Sequence, residues 1–296
     1  MRIKKTIQTR IFEVCAYSIL TFTALISVIP FIMVVSGSFS TNRTVIVEGY
    51  GLLPKDFTLE SYKVILENSK QILRAYGVTI FCTLVGTTVG LLLTTLTGYV
   101  LSRKEFRYRN TISFLIYFTS IFGGGMIPWY YMYTGILGLK GTLTALWLPA
   151  ILAPFYIILM RTFVTSSLPE EITDAAKIDG AGHVTILLRI AMPLLKPALA
   201  TIGLFMALGY WNDWYRSSLF STKMSNWELQ FYLYNMLNTS EAAKGIAAQA
   251  GITLGNLPTE TMKLAMSVIV TGPILLLYPF VQKYFVSGIT IGAVKG

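Results

Sequence analysis

Apolar residues run along this chain in long unbroken stretches rather than in alternation, and that pattern predicts helices. Six stretches reach the roughly 20 residues that a helix needs to cross the hydrocarbon core of a bilayer. They are Ile11–Val35, Leu73–Leu101, Thr111–Leu137, Thr142–Val164, Ala198–Phe220 and Met262–Phe285. Each is bounded by charged or Gly-, Pro- and Asn-rich sequence. A membrane barrel would alternate lipid-facing and lumen-facing residues, and these stretches do not. Arg2, Lys4, Lys5 and Arg10 precede the first stretch as they would in a signal peptide. That stretch outlasts the roughly 7–15 residues of a signal core, and the small residues Ser36, Gly37 and Ser38 lie far from the basic end, so it reads as an uncleaved first span.

Composition sharpens the picture. Of 296 residues, 54% are apolar and 13% charged, against about a quarter charged in soluble proteins. So few charges cannot cover the surface of a soluble domain this long. A soluble enzyme, a disordered chain and a nucleic-acid-binding domain are thereby set aside, and an all-α transmembrane protein with six membrane-spanning helices is expected. The formal net charge of +10 then reports topology. Arg103, Lys104, Arg107 and Arg109 crowd the short connection after the second stretch, whereas the turn at 137–141 holds only Lys140. Basic residues collect in cytoplasmic loops, which places both termini in the cytoplasm. Anionic lipid is a second reading of the 103–109 cluster, and the topological one is preferred.

Chemistry-bearing residues are sparse. Cys15 and Cys82 both lie in apolar stretches, His183 is the lone histidine, and neither a disulfide framework nor a Cys- or His-based metal site is expected. Glu13, Arg74 and Asp213 sit near span ends rather than midplanes. Ion-coupled carriers place carboxylates or histidines inside the membrane, so energy for any transport should come from outside the chain. No GxxxxGK[ST] occurs, so the chain carries no phosphate-binding loop of that type. Gly86 and Gly90 form a GxxxG that permits close helix packing, either within the chain or against a partner subunit. Pro30, Pro149, Pro154 and Pro273 are expected to kink or loosen their spans.

The most informative segment is the loop SSLPEEITDAAKIDGAGHVTILLRIAMPLLKP at 166–197. It reads as a short helix, a turn and a second short helix. Ser167 with Glu170 fits a capping box, and Pro169 suits a first turn. Glu170 and Glu171 sit at the positive end of the helix dipole. Ile172, Ala175 and Ala176 share a face, Gly180 is a left-handed stop, and a second helix from His183 to Ala191 is closed by Pro193.

This loop resembles the EAA loop of ABC-importer permease subunits. Asp174–Ala176 and Asp179–Ala181 match its EAA and DGA elements, followed in register by Leu187, Ile190, Met192, Pro193 and Pro197. Asp174 replaces Glu, Leu187 replaces Phe and Met192 replaces Leu, all conservative in charge or volume. Similarity to sugar permeases extends through 98–110, 122–149, the YWNDW element at 210–214 and 257–285. The ending at 285–296 is similar to the type related to the smaller maltose permease.

The resemblance implies a single permease domain over 1–296, containing the coupling loop at 166–197, in a bacterial cell (inner) membrane. Its function would be to form, with a second, non-identical permease, the path for a carbohydrate, expected to be an oligosaccharide. Two cytoplasmic ATPase subunits would hold the ATP and Mg, since this chain carries no cofactor of its own. An extracytoplasmic solute-binding protein would deliver the sugar. Glu171, Asp174, Ala175, Ala176, Asp179, Gly180, Ala181, Leu187 and Pro193 would couple to the ATPase, and the tail Gly292–Gly296 could also enter that interface. A permease for peptide or phosphate, and an ion-coupled carrier, remain as alternatives. The chain itself would be a transport subunit and not an enzyme, with membrane lipid as a further partner and no nucleic acid.

Several residues carry two readings. His183 is an exposed cytosolic side chain or an ATPase contact. Tyr210, Trp211, Asn212 and Trp214, with Tyr215 beside them, are a candidate sugar surface or an interfacial aromatic belt. Trp129, Tyr130 and Tyr131 read as belt residues. Trp227, Phe231, Tyr232 and Tyr234 either pack on neighbouring loops or face the binding protein.

Overall fold

A computed structural model describes residues 7–67, 69–250 and 260–276. Those residues contain helices and no strand. The helices are α1 (Ile7–Ser38), α2 (Asn42–Glu48), α3 (Glu60–Glu67), α4 (Ser69–Ser102), α5 (Arg109–Ile121) and α6 (Met126–Tyr131). Then follow α7 (Thr144–Trp147), α8 (Pro154–Ser167), α9 (Glu170–Ile178), α10 (His183–Thr185), α11 (Met192–Leu194), α12 (Lys196–Trp211), α13 (Tyr215–Phe220) and α14 (Leu229–Ala250). A final helical stretch covers 260–276. Among the described residues two helices, α1 and α4, are long and apolar enough to cross a membrane alone, and three bent pairs reach that standard jointly.

The bends have chemical causes. The third apolar stretch breaks at Gly123–Gly125, where α5 and the α6 segment diverge by 112°. Three successive glycines cost helix about 1 kcal/mol each, and Gly125 takes φ +84°, left-handed space that other residues avoid. The 13 residues of α5 rise only about 20 Å, short of a bilayer core. The fourth stretch bends by 49° ahead of Pro154, with Ala153 in the extended conformation that a following proline imposes. The fifth approaches through a helix running from His183 to Leu194 and turns by 79° into α12. Pro193 therefore does not close the second loop helix as expected. It has no N–H to bond the Arg189 carbonyl, and the ladder shifts to π geometry over Ile186–Ala191 before the turn at Leu195. By contrast, α1 runs through Pro30 unbroken. The sixth stretch is helical to 276, and its remainder and the tail at 285–296 lie outside the described residues.

The chain divides into two compact units. One draws on Met1–Ser69 and Asn235–Pro273. In it, α1 spans 32 residues, about 48 Å, and is buried only at Ser36, Gly37 and Ser38. There the chain turns into a polar knot. The Ser38 hydroxyl is 2.8 Å from that of Tyr62, and Phe39 stacks between Phe57 and Tyr62. The Asn42 side-chain oxygen accepts from the Glu260 amide at 3.0 Å and so caps the 260–276 helix, while Ser61 donates to Thr261 at 2.7 Å.

The other unit draws on Lys70–Tyr234 and Ile274–Gly296. Its axis is α4, whose glycines admit close neighbours. A Cβ on Gly86 would lie 2.3 Å from the Tyr210 ring, one on Gly90 2.8 Å from the Ile151 carbonyl oxygen, and one on Gly98 3.0 Å from the Arg161 amide nitrogen. The GxxxG pair thus packs inside this chain. Tyr99, Met160, Val164, Leu168, Ala198, Ile202 and Met206 form the adjoining core. Toward the other end, Phe220 is fully buried, with Trp129, Tyr130 and Tyr133 around it at centroid distances of 5.4, 5.6 and 6.1 Å. Trp129 and Tyr130, expected as belt residues, serve this core instead, and Tyr131 stays exposed.

Gly90→Val should lower the unfolding free energy of the detergent-solubilised protein by about 1–3 kcal/mol, since rigid backbone opposes the new side chain. Gly77 meets nothing within 4 Å, so Gly77→Ala should be neutral or stabilising by up to about 1 kcal/mol. Thermal unfolding of the two variants in one detergent checks the contrast.

Candidate functional site

Loop 166–197 continues without a gap from α8. The helix α9 begins at Glu170 with Pro169 as its N-cap residue, so the Ser167 capping box does not form, and Ser167 instead ends α8. Glu170 and Glu171 occupy the first turn and Lys177 the last, matching the dipole at both ends. The stop is as the sequence indicated. Gly180 has φ +80°, its amide bonds the Lys177 carbonyl at 2.9 Å, and the Ala181 amide bonds that of Ala176 at 2.8 Å, a Schellman closure.

The two faces of α9 differ. Thr173, at 2% exposure, and Ala176 point into the protein. Glu171, Ile172, Asp174, Ala175 and Ile178 point out, Ile178 with 86% of its surface free. Ala175 and Ala176 therefore do not share a face. Asp179, Gly180 and Pro193 are exposed, Ala181 is half-buried, and Leu187 is buried beside Ala176 in the core. Of the nine residues expected to meet a partner, Ala176 and Leu187 instead hold the loop to its own protein. The exposed apolar side chains Ile178, Val184 and Leu188 were not singled out, although their place beside the DGA turn could have marked them.

The inner face of α9 is gripped by the connection after α4, which the sequence marked only as a basic cluster. Arg103 Nη1 donates to Thr173 Oγ1 at 2.8 Å, and its guanidinium lies 4.4 Å from the Tyr99 ring centroid. Lys104 pairs with Glu170, and Glu105 pairs with Lys177, which also lies 3.6 Å from Asp174. The Lys177 ammonium holds the Glu105 carboxyl below its ordinary range, and Glu105 raises Lys177 in turn. Exposed His183 borders a cleft of about 280 Å³ with Tyr99, Arg103, Glu105 and Phe106.

The second candidate site, at 210–215, is mostly committed to packing. Tyr210 is 3% exposed, and its hydroxyl donates to the Trp147 carbonyl at 2.9 Å. Trp211 is buried, tilted against Tyr76 at 6.4 Å. Asn212 is exposed, with its Oδ1 accepting from Gln230. Trp214 is 41% exposed, one face stacked on Tyr234 at 4.4 Å, with Tyr215 edge-on beside it. Trp227, Phe231 and Tyr234 pack within this aromatic group.

Behind the aromatics lies a charged cluster that sequence inspection missed. Asp213 pairs with Arg216, and its Oδ1 accepts from the amides of Tyr215 and Arg216. Glu228 is 1% exposed, and Ser217 donates to its Oε2 at 2.8 Å. Burial first, and the charge of Asp213 second, push the Glu228 carboxyl up to about 8, against smaller opposing effects of Ser217 and Arg216. No cluster of three or more His, Cys, Asp or Glu suited to a metal occurs among the described residues.

No family model matches the chain. It is 39% identical over 289 residues to Protein LplC of Bacillus subtilis (strain 168), covering 97% of this chain and 96% of that one. It is 37% identical over 290 residues to the polygalacturonan/rhamnogalacturonan transport system permease protein YtcP of the same organism, covering 98% and 100%. The arabinooligosaccharides transport system permease protein AraQ of Halalkalibacterium halodurans is 30% identical, with 93% and 94% covered. Among solved structures, a chain of a bacterial ABC transporter involved in the import of the acidic polysaccharide alginate matches with TM-score 0.81 and 31% identity, over 96% of this chain and 99% of that one.

The raised carboxyl of Glu228 makes a pH signature. The fold binds this proton more tightly than the unfolded chain, so its stability contribution is complete below the ordinary value of 4.5 and is lost as pH rises through about 8. Glu228→Gln should remove that dependence. Thermal unfolding at pH 6 and pH 9 should show a smaller loss in the variant, with the variant the more stable at pH 9.

Proposed function

The chain belongs to the permease subunits of carbohydrate ABC importers, and we propose that it drives transport through the outward face of α9, docked on a cytoplasmic ATPase subunit. It is a membrane transport subunit, not an enzyme. The observation that carries the proposal is the division of α9: Thr173 and Ala176 bind it to its own protein while Ile172, Ala175 and Ile178 are exposed on the other side, with exposed Asp174 beside them. A short amphipathic helix with small and apolar residues outward suits a groove on another protein. Glu171, Asp179, Gly180, Ala181 and Pro193 border that patch, and Ala176 and Leu187 fix it from behind.

Around this contact the rest of the assembly follows. A second, non-identical permease completes the path, and two ATPase subunits bind ATP and Mg. An extracytoplasmic binding protein delivers the sugar, with both termini of this chain cytoplasmic. Six crossings would be made by α1, α4, the three bent pairs and the stretch beginning at 260, and residues 1–296 would act as one permease domain with its coupling loop at 166–197. The substrate is an oligosaccharide, and the names of YtcP and of the alginate importer support an acidic one. Trp214, with Asn212 beside it, offers the exposed aromatic and amide for a sugar in the 210–215 group, while Tyr210 and Trp211 support that surface by packing.

Affinity purification of the tagged chain in mild detergent tests the proposal. A second permease and an ATPase subunit should co-purify. Gly180→Val forces a β-branched residue to φ +80°, a strain of about 1–2 kcal/mol, and should reduce ATPase recovery at unchanged permease yield. A chain that purifies alone and moves solute in ATP-free vesicles would contradict it.

A further inference from the structure

The grip of three consecutive residues on α9 has a geometry that suits transmission as well as anchoring. Arg103, Lys104 and Glu105 follow directly from α4 and reach Thr173, Glu170 and Lys177. Positions 170, 173 and 177 share one helix face, opposite Ile172, Ala175 and Ile178. The contacts thus span α9 from its first turn to its last. The two outer pairs are not equivalent to the middle one. The Lys104–Glu170 pair is exposed, at 68% and 47%, and the Glu105–Lys177 pair partly so, at 56% and 31%, and exposed pairs of this kind contribute little.

The middle contact is enclosed. Thr173 and Tyr99 are buried, and the Arg103 guanidinium bonds the one while covering the ring of the other. Clefts of about 280 Å³ open on both sides of it, one toward Lys104, Leu168 and Lys177, the other toward Phe106 and His183. Arg103 lines both. Ala176 and Leu168 pack α9 into the core beside this contact, and the guanidinium adds a directed polar link from Thr173 to Tyr99 and the last turn of α4. The glycines of α4 seat that helix closely against α8 and α12.

We propose that Arg103 is a positioning residue that links displacement of α9 to displacement of α4, so that ATPase movement reaches the helix along which the core is packed. Arginine suits the role because a planar guanidinium can stack on an aromatic ring and donate a directed hydrogen bond together. A lysine ammonium keeps the charge and loses the fixed fork. The inference rests on the docking of α9 on an ATPase.

The test uses the assembled transporter, with partner permease, ATPase subunits and binding protein, in proteoliposomes, and reads sugar transported per ATP hydrolysed. Arg103→Ala should lower that ratio about ten-fold, the scale of a lost charged hydrogen bond, with ATPase recovery unchanged. Arg103→Lys should fall between. Thr173→Val removes the acceptor at nearly constant volume and should act in the same direction, with the double variant no worse than the more severe single one. Lys104→Ala should stay within about two-fold of the parent. An unaltered ratio in both Arg103→Ala and Thr173→Val overturns the link, as does reduced complex yield with normal coupling in what remains, the mark of a merely structural contact. If the parent chain recovers no ATPase at all, the docking of α9 fails and this inference fails with it.

Discussion

Close backbone approach along α4 is the constraint on which the larger unit depends. Gly86, Gly90 and Gly98 lie along one face at spacings of about one and two turns, and the atoms they admit belong to Tyr210, Ile151, Met206, Met160 and Arg161. In lipid, apolar burial supplies little drive between helices, so contact of this kind and buried hydrogen bonds must hold them. The bent pairs that end in α8 and α12 can then lie against α4 despite their breaks. Buried Thr94 and Thr95 occupy the same helix, and Thr95 satisfies its hydroxyl on the Leu91 carbonyl. Substituting larger side chains on this face would separate the helices and release the connected loops.

Those loops set the two faces of α9. The same helix that packs the core delivers Tyr99 and Arg103 to the inner side of α9, while Leu168, Ala176 and Leu187 join the core built on Met160, Ile202 and Met206. One face of α9 is therefore inherited from the fold and the other is left free. At the opposite end, Phe220 gathers Trp129, Tyr130 and Tyr133, and Glu228 closes on Ser217. That end joins aromatic packing to a buried carboxyl whose pKa is pushed up by burial.

Much of this was legible in the sequence, for reasons that differ by element. The α1 and α4 spans follow from uninterrupted apolar length, and Gly180 from the need for a left-handed residue after α9. The DGA segment at Asp179–Ala181 marked the turn that follows α9, which Gly180 makes at φ +80°. The capping box failed because Pro169 itself begins α9 and leaves Ser167 to α8. The third stretch hid its break because Gly123–Gly125 are apolar enough to continue a hydropathy run while ending a helix. Arg103 was read as topology alone because its partner Thr173 is 70 residues away, and a distant hydroxyl leaves no local signal. Tyr210 and Trp211 looked available because aromatic residues suit both sugar faces and helix packing, and burial decides between them.

The central claim is that α9 presents one face to an ATPase and the other to its own protein, and site-directed cross-linking tests it most directly. In a Cys15→Ser background, with Cys82 buried, single cysteines would be placed at Ile178 and Ala175 on the free face and at Thr173 and Ala176 on the inner one. A short thiol cross-linker would then be applied to the assembled complex. Strong cross-links to the ATPase subunit from 175 and 178, with none from 173 and 176, are the result expected. Cross-links of equal strength from both faces, or from neither while the ATPase is present, would contradict the account.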